Sequence, residues 1–279
     1  MGEIISIVSQ KGGVGKTTTA VNLCASLARL NRKILLIDLD PQGHVSTSFG
    51  FGKFDIKGGI YDVIHSSMNI EDTIHSTNIT NFDLIPSNFD NEEDGKNYYI
   101  APLKELKLKN ILSSLKSHYE FIFIDCPPSL SNATSNALVS ADSIIIPIQC
   151  EYYALKALGK LLKLTRAIKK HYNPELQYRG FLLTMVDLRN NLSKRVMNKV
   201  RYTLKGLVFE TMIPRNIRLA EVPYYGKPAI EFDKSCKGST SYLELAKEIL
   251  NQDGTTDSNL FKNLTPREEP VSKQMKVIN

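Results

Sequence analysis

Five unbroken apolar runs divide the chain: Ile4–Val8 (with Ser6 inside), Ile34–Ile37, Phe121–Ile124, Ser143–Ile148 and Gly180–Thr184. Two shorter runs, Phe82–Pro86 and Val208–Ile213, have the same character. Residues that stay apolar without alternating suit strands covered on both faces. Between them the spacing changes to steps of three and four. Ala20, Leu23, Leu27 and Leu30 predict a helix after the first strand. Leu103, Leu106, Ile111, Leu112 and Leu115 predict another, and Leu155, Leu158, Leu161, Leu162 and Ile168 a third over roughly Tyr153–His171. Ser193 is a suitable N-cap for a helix with Val196, Val200 and Leu204 inward. A last amphipathic helix is expected over about Ser239–Leu250, and a short helical pattern lies around Ile60–Ile64. Alternating strands and helices predict an α/β fold, a mostly parallel, doubly wound sheet with helices on both faces. This pattern ends near Asp253. Residues 1–253 are expected to form one domain, and 254–279, with Pro266 and Pro270, a flexible tail. The acidic stretch Asn88–Asn97 reads as a loop.

The first strand runs into Gln10-Lys11-Gly12-Gly13-Val14-Gly15-Lys16-Thr17-Thr18, and a helix follows at once. Glycines there let successive backbone N–H groups converge, and the helix N-terminus adds partial positive charge. Lys16 can reach the β- and γ-phosphates of a nucleoside triphosphate, and the Thr17 hydroxyl can hold Mg²⁺. Two further strands end in acids: Ile34–Ile37 in Asp38-Leu39-Asp40-Pro41-Gln42-Gly43, and Phe121–Ile124 in Asp125-Cys126-Pro127-Pro128. Acids at strand ends beside a phosphate loop stand where such sheets bind ligands. Asp38 and Asp125 are placed for the magnesium shell, and Asp40 for orienting an attacking water.

The usual phosphate loop has glycine six residues before its lysine. Here that position is Gln10, and a second lysine, Lys11, stands beside it. The form Lys-Gly-Gly-x-Gly-Lys-Thr is the deviant Walker A motif, and in it the chain resembles the ParA/MinD family of P-loop ATPases. Asp-x-Asp-Pro-Gln-Gly resembles the first switch of the ParA proteins. The resemblance covers residues 3–250. It implies ATP and Mg²⁺ as cofactors, a cradle of Gly12, Gly13, Val14, Gly15, Lys16, Thr17 and Thr18, and an Asp40 needed for hydrolysis. It also implies that Pro214 and Asn216 lie against the adenine ring. Two subunits would sandwich two nucleotides, Lys11 acting across the interface and Gly12 lying at it.

Charge adds a partner. The net charge is +6, yet the window Lys160–Lys205 holds 12 basic residues against Glu175 and Asp187. That window alone is +10, so the remainder sums to −4. A concentrated basic surface suits a polyanion. Arg189 and Arg218 stand where related ParA proteins carry DNA-contacting arginines, with Arg195 and Lys199 as further candidates. The expectation is a small ParA/Soj-type partitioning ATPase, cytoplasmic and nucleoid-associated. It would dimerise on ATP, bind duplex DNA without sequence preference, and be released when a ParB-like centromere-binding protein stimulates hydrolysis.

Two other classes fit less well. A MinD-like membrane-cycling ATPase needs a C-terminal amphipathic helix, which the proline-containing tail does not offer. The other is a metabolic relative, an iron–sulfur reductase component or an amide ligase, and a bridging cluster needs two cysteines per subunit close together at the dimer axis. The four cysteines are scattered, and Cys126 has no evident mate. No run approaches the roughly 20 apolar residues of a membrane span. Met1–Ser6 fits the myristoylation pattern, but Ile4 and Ile5 read more simply as strand.

Overall fold

The computed structural model describes residues 2–65, 68–89, 107–151 and 154–252. In chain order the elements are β1 (Glu3–Ile7), α1 (Lys16–Arg29), β2 (Ile34–Asp38), α2 (His44–Thr47), α3 (Ile60–His65), β3 (His75–Ser76), β4 (Phe82–Ile85), α4 (Lys107–Leu115), β5 (Phe121–Asp125), α5 (Asn132–Ser140), β6 (Ser143–Gln149), α6 (Ala154–His171), β7 (Gln177–Thr184), α7 (Asn191–Leu204), α8 (Ile217–Glu221), α9 (Ala229–Phe232) and α10 (Lys237–Asn251). The strands form one sheet in the order β3-β4-β2-β5-β1-β6-β7. Every neighbouring pair is parallel except β3 with β4. The mostly parallel, doubly wound sheet expected from the sequence is thus present.

The unbroken apolar runs have a direct cause. Ile4, Leu35, Ile37, Ile122 and Ile124 face one buried cluster, which α4, α5, α6 and α7 cover. Their chain neighbours Ile5, Ile34, Leu36, Phe121 and Phe123 face a second cluster, covered by α1 and α10. Each fully buried Ile or Leu contributes about 1.5–3 kcal/mol of transfer free energy. Polar residues on either face would forfeit that.

The structure corrects two expectations. Val208–Ile213 is no strand; it forms one isolated bridge to β7, Phe181 with Val208, and the turn beyond it forms another just past β7, Val186 with Pro214. Midway along it the N–H groups of Glu210 and Thr211 donate to the Glu248 carboxylate, at 2.7 and 2.9 Å. A side chain of α10 therefore takes the donors that a strand ladder would need. At α7 the cap is Asn190, whose Oδ1 accepts from the N–H groups of Leu192 and Ser193. Ser193 lies inside the helix, and its Oγ accepts from the Asp187 N–H at 3.4 Å. Leu103, Leu106, Tyr153, most of the acidic loop and the tail 254–279 lie outside the described residues. Ile4 and Ile5 lie in β1, as the strand reading expected, and the Gly2 amide just before it donates to the Lys116 carbonyl, in the turn after α4, at 2.8 Å.

Candidate functional site

The site gathers where β1, β2 and β5 end together. β1 passes into the glycine loop, in which Gly13 (φ +70°) and Gly15 (φ +87°) take left-handed conformations. Side chains rarely adopt that region, so glycine is required at both positions. Gly12 differs. Its φ is not left-handed, and an added Cβ would meet only Pro128 Cβ at 3.7 Å. Nothing within the subunit demands glycine there. The buried Thr184 hydroxyl, at the end of β7, donates to the Val14 carbonyl at 2.9 Å and ties the loop to the sheet. Met185 follows with φ +50°, its Cε 3.9 Å from where a Gly15 Cβ would stand. In the sequence both stand in the Thr-Met-x-Asp-x-Arg stretch that leads to Arg189, and nothing in that stretch points to the loop.

Lys16 opens α1 and is 7% exposed. Burial lowers its pKa, and the neighbouring Asp125 charge opposes that shift. Asp38 and Asp125 are paired in register across β2 and β5, both fully buried. Burial pushes Asp125 up to about 7, partly offset by the Thr17 hydroxyl and Lys16. Burial and the Asp125 charge push Asp38 well above the usual carboxylate range. Two carboxylates shut away from water and facing each other need a cation or a proton. Thr17 Oγ1 donates to Asp125 Oδ2 at 2.6 Å, while the buried Asp125 Oδ1 has no hydrogen-bond partner. Asp38 accepts from the N–H groups of Asp40 and Val45, at 2.9 and 3.2 Å. Asp40 is 7% exposed and accepts from the Gln42 N–H at 3.1 Å.

No cluster of three or more His, Cys, Asp or Glu among the described residues is built to hold a metal alone. Magnesium bound mainly by phosphate oxygens and water needs no such cage. An orphan carboxylate oxygen beside a hydroxyl and a glycine nest fits that ion. Cys126 is fully buried with its thiol pushed up by burial. It is inert packing and offers no surface ligand for a shared cluster.

Lys11 behaves unlike Lys16. Its side chain is 38% exposed, and the ammonium reaches Gln149 Oε1, at 3.0 Å, and the Glu151 carboxylate. No local pattern hints at these two partners, because they lie at and just beyond the end of β6, far along the chain. The Pro214 turn hydrogen-bonds to Val186, just after β7, with Arg215 N–H donating to the Val186 carbonyl at 3.1 Å. That places it one step from Met185 and so near the loop. Asn216 Oδ1 accepts from the Leu219 N–H and caps α8.

Arg189, Arg218, Arg195 and Lys199 stand apart from the loop. Arg189 lies between β7 and α7 with its side chain 90% exposed. Arg218 rides on α8 and is half-exposed. Arg195 and Lys199 lie one turn apart on the outside of α7, exposed and with no ion pair among the described residues. Arg215, which the sequence marks only as a turn residue, comes close enough to act on the Asp187 charge.

Strand, glycine nest, buried lysine and paired buried aspartates at the sheet's C-terminal edge define a P-loop ATPase of the deviant Walker A type. The comparisons narrow that class. An AAA domain family model (AAA_31) matches residues 2–178. Sporulation initiation inhibitor protein Soj of Bacillus subtilis is 45% identical over 251 residues, 89% of this chain and 98% of that protein. Chromosome partitioning protein ParA of Myxococcus xanthus is 43% identical over 253 residues, covering 91% and 89%. Among solved structures, the septum site-determining protein MinD of Pyrococcus horikoshii, complexed with Mg-ADP, superposes with TM-score 0.74 at 30% identity, covering 91% and 98%. The chain belongs to the ParA/Soj family of partitioning ATPases. Among the described residues no helix is long and apolar enough to cross a membrane.

Proposed function

We propose that this protein is a Mg²⁺-dependent ATPase whose ATP-bound form pairs with a second copy and holds duplex DNA without sequence preference. A ParB-like centromere-binding protein then stimulates hydrolysis and releases the pair, which drives chromosome or plasmid segregation. The observation that carries this reading is the contrast between the two loop lysines. Lys16 is buried at the helix start, beside the nest. Lys11 is held outward, where it can meet charge brought by another subunit. The open position at Gly12 supports the same reading, since the subunit itself has room for a side chain there.

Roles follow from placement. The amides of Gly12–Thr18 and the Lys16 ammonium would hold the triphosphate. Thr17 and Asp125, with Asp38 behind them, would hold Mg²⁺, which supplies charge neutralisation at the phosphates. Asp40, beside Lys16, is assigned to the attacking water, and Pro214 and Asn216 to the base. A partner's Lys11 would offset charge developing on the phosphates. Arg189, Arg218, Arg195 and Lys199 would meet DNA phosphates. One copy presents few such contacts. Two copies double the number, and affinity climbs steeply with each.

Gel filtration tests this with four samples: protein alone, with a non-hydrolysable ATP analogue and Mg²⁺, and each of these with duplex DNA. The expected result is a monomer without nucleotide, a dimer with it, and co-elution with DNA in the nucleotide-bound sample only. A protein that stays monomeric when saturated, or that retains DNA equally without nucleotide, overturns the proposal.

A further inference from the structure

Two of the three arginines of the proposed DNA face, Arg189 and Arg218, already grip carboxylates. Asp187 Oδ1 accepts from Arg189 Nε and from the Arg189 backbone N–H, each at 3.0 Å, and Asp187 Oδ2 accepts from Nη2 at 3.0 Å. This two-pronged grip is the one a guanidinium gives a phosphate. Arg218 Nη1 donates to Glu221 Oε2 at 2.9 Å, and its Nε lies 3.7 Å from Asp233 Oδ2. The Phe232 ring, 5.9 Å from the guanidinium centre, holds Arg218 from a third direction. Arg195 and Lys199 have no such partners among the described residues. The pairing is therefore selective: it falls on the two arginines singled out for DNA and spares the other two candidates.

We propose that Asp187 and Glu221 are internal competitors of the DNA backbone, each occupying guanidinium donors that a phosphate would take, Asp187 both prongs of Arg189 and Glu221 one of Arg218, and so setting the affinity of the face. This rests on the DNA-binding reading above. Exposed ion pairs are weak, so a phosphate can displace either carboxylate. The displaced acid then stands uncompensated beside the DNA and draws back a cation from solution. Each exchange thus cancels about one of the counterions that phosphate contact releases. Asp187 bears on more than Arg189, since Arg215 also feels its charge. The arrangement keeps both arginines oriented while holding binding weak enough for release.

The test is fluorescence anisotropy of a labelled duplex of arbitrary sequence. The titrant is the full chain with Mg²⁺ and a non-hydrolysable ATP analogue, over a range of salt. Asp187→Asn and Glu221→Gln are compared with the wild type, alone and together, and Arg189→Glu/Arg218→Glu serves as the reference for the face. The asparagine in Asp187→Asn would keep an Oδ1 acceptor for the Arg189 N–H, so the loop is retained, and thermal melts check that it is. Each single neutralisation should tighten binding roughly two- to fivefold. It should also steepen the slope of log K against log salt by about one. Unchanged or weaker binding in both variants, with the arginine double variant defective, overturns this inference and leaves the DNA face standing. Undiminished binding by the arginine double variant overturns the DNA face itself. Should Asp187→Asn melt early, Glu221→Gln decides alone, since the one hydrogen bond seen for its side chain is to Arg218.

Discussion

Asp125 shows how one residue carries a conflict between folding and function. In the folded chain it is fully buried, and its pKa stands at about 7 against an ordinary carboxylate value near 3.8. A carboxyl whose folded pKa is raised binds its proton more tightly in the native state. Its contribution to stability is therefore complete below about pH 4 and is lost as pH rises toward 7. The protein free of nucleotide and metal should thus lose stability across that window. Asp125→Asn should flatten the dependence and stabilise the ligand-free protein at pH 7.5 by on the order of 1–3 kcal/mol, read as a higher melting temperature. The same variant should show little further stabilisation by Mg-ATP. A variant no more stable than wild type at pH 7.5 would show that Asp125 is not strained by burial. Most of this site is legible in the sequence. Lys16, Thr17, Asp38, Asp40 and Asp125 follow from glycine spacing and from acids at the ends of apolar runs. Thr184 and Met185 do not, because a hydroxyl that bonds a loop 170 residues away leaves no local pattern.

At the scale of elements, the segment after α7 is the instructive case. Val208–Ile213 has the composition of a strand, but the Glu248 carboxylate claims two of its N–H donors. Removing that acceptor with Glu248→Ala should cost about 1–2 kcal/mol, because two charge-assisted hydrogen bonds are exchanged for bonds to water at a half-exposed segment. Amide exchange at Glu210 and Thr211 should quicken well beyond that of their neighbours. Exchange unchanged at those two amides would refute the account. The long strands are readable because both faces are buried, so their runs are continuous. The start of β7 is masked by Arg179. That residue is buried all the same, its guanidinium donating to the Ile249 carbonyl at 2.8 Å and lying 3.4 Å from the Glu3 carboxylate. Helix α5 is unreadable for another reason. It is buried nearly all round by small residues, Ala133, Thr134, Ser135 and Ala137 among them, so no apolar stripe marks it.

For the whole molecule the proposed cycle turns on Asp40. Asp40→Ala removes the group assigned to the attacking water and leaves the nest, Lys16 and Thr17 in place. With ATP and Mg²⁺ it should give a dimer that persists by light scattering and turns over at least roughly tenfold more slowly than wild type, in keeping with loss of a proton-handling group. A variant that hydrolyses ATP at the normal rate would remove Asp40 from that role. A variant that cannot dimerise would place Asp40 in the interface instead.

The amino-acid sequence alone determined the sheet, its double cover and the phosphate loop, because burial on two faces and left-handed glycines each impose a local residue pattern. It also determined where the basic surplus lies. Only the tertiary structure decided which charges meet. It turned Lys11 toward Gln149 and Glu151, set Asp38 against Asp125 across two strands, and brought Arg215 within reach of the Asp187 charge. Such pairings depend on how strands and loops far apart in the chain are brought together. Coulomb interactions follow distance in space, and no spacing along the chain encodes it.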